Sequence, residues 1–211
     1  MLEVVPLILG PVTTNAYLIA DSDTHEAAVI DPAWDGFLIA AEARQRNWRI
    51  SQIWITHAHF DHIGGAGELA RELDTAPVIA LHPNDRLLWD TRGGAALFGF
   101  TLPASPTPTL NLAHNMNLRL GRTIFKVLHT PGHTPGHCVF YCADAGVCFC
   151  GDLIFQNSVG RTDLPGGDWE RLVTSIQTLI FTLPEETRLL SGHGPESTVG
   201  QEKSGNPFVR A

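Results

Sequence analysis

The stretch His57-Ala58-His59-Phe60-Asp61-His62 decides how this chain is read. It follows an apolar run at residues 50–56, in which Ile53 and Ile55 flank Trp54. That alternation predicts a strand with the isoleucines on one face and the indole on the other. In extended chain His57 and His59 point to the same side. Asp61 and His62 then fall where the chain turns into a helix, so they can aim at a second point beside the first. Gly64 and Gly65 remove side chains there and let the helix start approach closely. Imidazoles and carboxylates together suit zinc, iron or manganese.

Three further positions, each just after an expected strand, supply the same chemistry. His133 lies in Thr130-Pro131-Gly132-His133-Thr134-Pro135-Gly136-His137, where prolines and glycines fix a tight loop. Asp152 follows Cys150-Gly151, and His193 sits in Ser191-Gly192-His193-Gly194-Pro195. Side chains at strand ends gather on one edge of a sheet, which is where α/β folds place their sites.

The surrounding chain supports such a frame. Strands are expected at 2–9, 16–20, 27–30 and 78–81. Helices are expected at 37–46 behind Asp35 as a cap, at 63–73 with Ala66, Leu69, Ala70 and Leu73 on one stripe, and near 84–90. Residues 92–115 hold Pro103, Pro106 and Pro108 and read as a surface loop. Within it Phe98 and Phe100 either cover the site as a lid or pin the loop to the core. Strands at 117–120, 123–128, 137–142, 147–150 and 188–190, with a helix at 169–183, repeat the pattern of sheet then helices. Two such halves predict a four-layer α/β sandwich formed by a single domain, residues 1–211.

Composition narrows the function. The 211 residues carry a formal net charge of −8, which argues against a nucleic-acid partner, since phosphate neutralisation needs clustered Lys and Arg. No apolar run reaches membrane-spanning length, and the N-terminus lacks the basic start of a signal peptide. A cytoplasmic protein with no membrane partner is expected. Cys138 and Cys142 share one strand face, and Cys148 and Cys150 share a face of the next. Small buried thiols in a reduced protein are expected rather than a zinc site.

The ordered set His57, His59, Asp61, His62, His133, Asp152 and His193 resembles the metallo-β-lactamase superfamily, from Asp31 to Pro207. The resemblance implies an αββα sandwich and two divalent metal ions, with zinc expected and iron or manganese as alternatives. It implies one site from His57, His59 and His133 and a second from Asp61, His62 and His193. Asp152 would bridge them, and Asp61 and Asp152 would serve as catalytic residues. Asp31, in Val29-Ile30-Asp31-Pro32, matches a position that orients a ligand or loop. Within the superfamily, residues 129–137, 150–155 and Gly160-Arg161-Thr162-Asp163 resemble a short glyoxalase-II-like branch, without the C-terminal helical domain of full-length glyoxalase II. That branch implies hydrolysis of a small-molecule thioester such as S-lactoylglutathione.

Arg161 would bind a substrate carboxylate or pair with Asp163. The alternatives are a mononuclear non-haem iron persulfide dioxygenase using His57, His133 and Asp152, a lactonase, and a non-catalytic metal-binding module. A β-lactamase is disfavoured, because an Asp stands where many of those enzymes carry a Cys ligand. Among the other histidines, His137 is expected to hold structure by a hydrogen bond, and His129 to support the site or fill the core. His25, His82 and His114 are expected on the surface.

Overall fold

A computed structural model describes residues 1–210. Two six-stranded sheets stack face to face with helices on both outer sides. The first sheet is ordered β1 (Leu2–Leu9), β2 (Thr14–Asp21), β3 (Glu26–Ile30), β4 (Arg49–Trp54), β5 (Val78–Leu81) and β6 (Leu110–Asn111). β1 to β3 are antiparallel neighbours, and β3 to β6 run parallel. The second sheet runs from β7 (Asn117–Leu120) through β8 (Thr123–His129), β9 (Cys138–Cys142), β10 (Val147–Gly151) and β13 (Arg188–Ser191) to β14 (Ser197–Thr198). A small hairpin of β11 (Ile154–Phe155) and β12 (Ser158–Val159) follows β10.

The alternation in β4 works as expected. Ile53 and Ile55 pack under α1 (Gly36–Gln45) and α3 (Ala66–Glu72), against Ile39, Ala40, Ala43 and Leu69. Trp54 faces the other sheet, its ring edge-on to Phe125 at 4.9 Å between centroids. Cys138 and Cys142 lie in this inter-sheet core. Cys148 and Cys150 lie on the far face of the second sheet, against α5 (Trp169–Ser175). All four thiols are free and buried. No helix among the described residues is long and apolar enough to cross a membrane.

Four sequence expectations need correction. The helix expected at 63–73 is broken into α2 (Phe60–Ile63) and α3, because Ala33 captures the backbone between them. Ala33 N donates to His62 O, and Ala33 O accepts from Gly65 N. Asp35 precedes α1 but makes no side-chain cap; it sits in the left-handed region at φ +49°, and only its carbonyl meets the first turn. The segment 92–115 opens as 3-10 turns over Arg92–Phe98 and contributes the edge strand β6. The helix at 169–183 is capped by Asp168 but passes into a π turn at Ile176–Ile180. Close to the C-terminus the chain also forms α6 (Val199–Gly205), which buries Val199 and an acid, Glu202, in place of an apolar stripe.

Candidate metal centre

All seven candidate side chains meet at one edge of the stacked sheets. Beyond Trp54 the ladder of β4 ends because the Thr56 amide is taken by Asp31 Oδ1 at 2.7 Å. The freed chain carries His57 and His59 into the opening and enters α2, whose first turn holds Asp61 and His62. His133 comes from the loop between β8 and β9, Asp152 from the end of β10, and His193 from the end of β13.

The nitrogens of His57, His59 and His133 converge. His57 Nε2 lies 3.1 Å and His59 Nδ1 2.8 Å from His133 Nε2. A second group forms from Asp61, His62 and His193. Asp61 Oδ2 is 3.1 Å from His193 Nε2 and 3.5 Å from His62 Nε2. Asp152 stands between the groups, with Oδ1 3.2 Å from His62 Nε2 and Oδ2 3.7 Å from His133 Nε2 and 3.6 Å from His193 Nε2.

Supporting hydrogen bonds fix which nitrogen faces inward. His133 Nδ1 donates to the Arg161 carbonyl at 2.7 Å and His62 Nδ1 to Asp31 Oδ2 at 2.8 Å. Thr56 Oγ1 donates to Asp31 Oδ2 at 2.6 Å, so it can accept from His57 Nδ1 at 3.0 Å. With protons held on Nδ1, the Nε2 lone pairs of His57, His62 and His133 point into the centre. Asp31, His57 and His62 also cluster closely enough to suggest a third metal group. The Asp31 carboxylate already accepts three hydrogen bonds, however, so it orients ligands, as its position in the sequence implies.

Burial and then the neighbouring imidazoles depress the pKa of His57 and bring that of His59 to about 3, leaving both neutral at pH 7. Burial also lowers His133. Burial alone would raise Asp61, but His62 and His193 outweigh it and hold Asp61 at about 2. Asp152 is likewise held low, with burial overcome by His62, His133 and His193. Burial opposes charge on His62, yet Asp152, Asp61 and Asp31 raise its pKa. His57 and His59 are thus the neutral imidazoles that metal binding requires, whereas the carboxylates raise His62 and His193, each of which holds a proton that a cation would displace.

The donor set fits divalent cations on three grounds. His62 Nε2 and Asp152 Oδ1 are buried without a hydrogen-bond partner although 3.2 Å apart, so they aim at a common point rather than at each other. Lone pairs of His57 and His133 facing each other at 3.1 Å are unfavourable unless a cation lies between them. At Gly192 an added Cβ would collide with Asp152 Oδ1 and His62 Cε1, so only glycine lets the two groups close up.

Several supports were not expected from the sequence. Asp85, fully buried, accepts from Ala58 N and Thr134 Oγ1 through Oδ2 and from Gly136 N through Oδ1, at 2.6–3.0 Å. It therefore ties the His57–His59 segment to the His133 loop. At the start of β2, Thr14 Oγ1 donates to Asp61 Oδ2, while Asn15 Nδ2 and Tyr17 Oη both donate to the Ser191 carbonyl, anchoring the His193 loop. Asp85 sits at a helix start, where an Asp reads as a cap, and Thr14 sits in a strand. Neither carries a sequence signal of its role.

The remaining expectations divide. His137 is buried, with Nδ1 2.8 Å from Thr130 Oγ1, the expected structural hydrogen bond. His129 is half-buried, its Nε2 2.9 Å from the Pro135 carbonyl. His82 is not a plain surface residue, since it stacks on His129 at 4.0 Å and 8°. His25 and His114 are exposed. Phe100 packs on Phe60 and Trp34 and pins its loop, whereas Phe98 walls the cavity above the metal groups. Arg161 also lines that cavity of about 270 Å³, with its guanidinium in a bidentate pair with Asp163 at 2.7 and 2.8 Å.

Known proteins are similar to this chain in sequence and in fold. The family model of the metallo-beta-lactamase superfamily matches residues 9–193, a span that contains every candidate ligand. The chain is 38% identical over 204 residues to the probable metallo-hydrolase YqgX of Bacillus subtilis, covering 95% of this chain and 94% of that one. It is 33% identical to the hydroxyacylglutathione hydrolase GloC of Haemophilus influenzae, covering 95% and 96%. Among solved structures, the BLEG-1 B3 metallo-beta-lactamase superposes with a TM-score of 0.91 at 36% identity, covering the whole of both chains. A di-iron-bound form of TTHA1623 superposes with a TM-score of 0.88 at 40% identity, covering 97% of this chain and all of that one.

Proposed function

This chain is a metallo-hydrolase belonging to the metallo-beta-lactamase superfamily, and from that premise we propose that it hydrolyses thioesters of small molecules at a dinuclear centre. The observation that carries the reading is the position of Asp152, whose two carboxylate oxygens face the two groups of ligands. His57, His59 and His133 would hold one cation, Asp61, His62 and His193 the other, and Asp152 would serve both. Zinc is the expected metal. The di-iron form of a related structure supports iron as the alternative.

Bound there, two divalent cations supply a water acidic enough to act as a nucleophile near neutral pH and positive charge for the carbonyl oxygen. The protein does the rest. Thr14 holds the Asp61 carboxylate toward the centre, and Asp31 holds His62, and His57 through Thr56. The acid and imidazole groups lining the cavity, His59, Asp61, His133, Asp152 and His193, all belong to the ligand set. Among the described residues that line the cavity, no separate general acid stands ready for a leaving group. A thiolate leaves without one, whereas an amine does not, and this supports a thioester over an amide. The similarity to a hydroxyacylglutathione hydrolase supports the same choice. Arg161, at the cavity wall, would meet a substrate carboxylate by exchanging it for Asp163.

The test is turnover of a panel holding S-lactoylglutathione, neutral thioesters, lactones and a β-lactam. The proposal expects thioesters to be cleaved fastest. Preferential cleavage of the β-lactam, the reading that the similarity to a B3 metallo-beta-lactamase supports, would replace it.

A further inference from the structure

The cavity over the metal groups adjoins a larger one of about 570 Å³, and the two share His59, Phe98 and Leu164 as common wall. That volume lies within the range of small-molecule sites. The larger cavity is walled by Leu87, Leu88, Leu97, Phe98, Pro135 and Leu164. Leu87 and Leu97 are 76% and 72% exposed and Phe98 is 42% exposed, so three large apolar side chains are left in water around one opening. Apolar surface gathered in this way next to a reaction centre calls for an apolar occupant.

Apart from His59, which belongs to the metal groups, the polar residues of the wall have hydrogen-bond partners within the protein. Thr91 Oγ1 donates to the carbonyls of Leu87 and Leu88, Asn84 Nδ2 donates to the Pro135 carbonyl, and both Asp85 oxygens accept from the metal-bearing loops. Among the described residues no lysine or arginine lines it; Arg161 lies in the smaller cavity, paired with Asp163. The wall is also built into the centre. Gly93, at φ +63°, lies so close to the Phe60 amide and the carbonyl of Ala58 that any Cβ would collide, which seats the segment Arg92–Phe98 directly on the His57–His59 loop.

We propose that this larger cavity is a subsite for an uncharged, apolar chain of the substrate, so that the preferred thioesters carry a medium-length alkyl or aromatic group rather than only small polar ones. The inference rests on the thioester reading for its reaction but not for its binding. The chain can belong to the acyl group or to the thiol, because both flank the scissile carbonyl.

The experiment uses two series on the metal-loaded protein. One lengthens the acyl group of N-acetylcysteamine thioesters from acetyl to octanoyl. The other lengthens the thiol of acetyl thioesters from ethyl to hexyl. Full burial of a methylene is worth about fourfold, and a half-open cavity about half of that, so kcat/KM should rise about twofold per methylene in one series. The series that rises names the source of the chain. In the double variant L87Q/L97Q, whose exposed side chains can change without disturbing the core, the gain from acetyl to octanoyl, or from ethyl to hexyl, should shrink by about tenfold. Calorimetry with the unreactive thioethers S-ethyl- and S-octyl-N-acetylcysteamine reads binding without turnover. If no thioester is cleaved but the octyl compound binds more tightly than the ethyl one, and less so in L87Q/L97Q, the subsite stands and the proposed reaction falls. Equal kcat/KM along both series together with equal binding of the two thioethers would overturn the subsite.

Discussion

Replacing Asp85 with alanine should loosen the metal centre without touching a ligand. The carboxylate is fully buried and accepts three hydrogen bonds, from the Ala58 amide at 3.0 Å, the Thr134 hydroxyl at 2.7 Å and the Gly136 amide at 2.6 Å. In D85A the Thr134 hydroxyl can turn to another acceptor, but the two amides stay buried, and each unsatisfied donor costs about 1–3 kcal/mol. Against this, burial raises the Asp85 pKa, the hydrogen bonds from Thr134, Ala58 and Gly136 only partly opposing it, so removing the group recovers some desolvation. The net expectation is a loss of about 3 kcal/mol in urea unfolding of the metal-free protein at pH 7. T134A removes one donor and leaves both amides satisfied, so it should lose only about 1 kcal/mol. Because Asp85 joins the His57–His59 segment to the His133 loop, metal affinity in D85A should fall about 10–100-fold, measured by competition with a chelator. Stability within about 0.5 kcal/mol of the parent, with unchanged metal affinity, would refute the claim that this carboxylate holds the two loops together.

Three further outcomes follow from the geometry. D152A should lose metal at both groups together, read by elemental analysis and activity; retention of two metals and normal turnover would remove Asp152 from its bridging role. R161A should raise KM for thioesters bearing a carboxylate about fivefold more than for neutral ones, as expected of an exposed ion pair worth about 1 kcal/mol, and D163N should lower it; equal effects on both substrate types would leave the Arg161–Asp163 pair a purely structural contact. Burial, and then the stacked His129, depress His82 to about 4 from an unfolded value near 6.5. The unfolded chain therefore takes up the proton first, and stability falls between pH 6.5 and 4; for a half-buried ring the contribution is about 1 kcal/mol after solvent screening. H82N, which keeps an acceptor for the Asn84 amide, should flatten that part of the profile, and an unchanged profile would contradict it.

What the sequence makes legible here is the chemistry of the ligands and the strands that carry them. The pattern of His57, His59, Asp61 and His62 is local, and strand ends place His133, Asp152 and His193 by a general rule of α/β folds. The alternation of Ile53, Trp54 and Ile55 likewise reports two packing faces, because strand periodicity is written in neighbouring residues. What stays hidden depends on contacts between distant segments. Ala33 breaks the helix at Gly64–Gly65 by taking two backbone bonds from across the fold. Asp85 looks like a helix cap and instead satisfies loops 27 and 49–51 residues away. The apolar cavity is equally silent, because Leu87 lies in a five-residue helix and Leu97 in a 3-10 segment, both too short for a periodicity that separates a lining residue from an ordinary surface leucine.

The proposed dinuclear hydrolysis requires that the seven ligands hold two cations. Its most direct measurement is metal content per chain on purified protein, taken with oxygen uptake during turnover. About two metal ions per chain are expected, with cleavage of S-lactoylglutathione or a longer-chain thioester and no oxygen consumed. About one iron per chain, with oxygen consumed when glutathione persulfide is added, would contradict it and leave His57, His133 and Asp152 as the triad of a mononuclear dioxygenase.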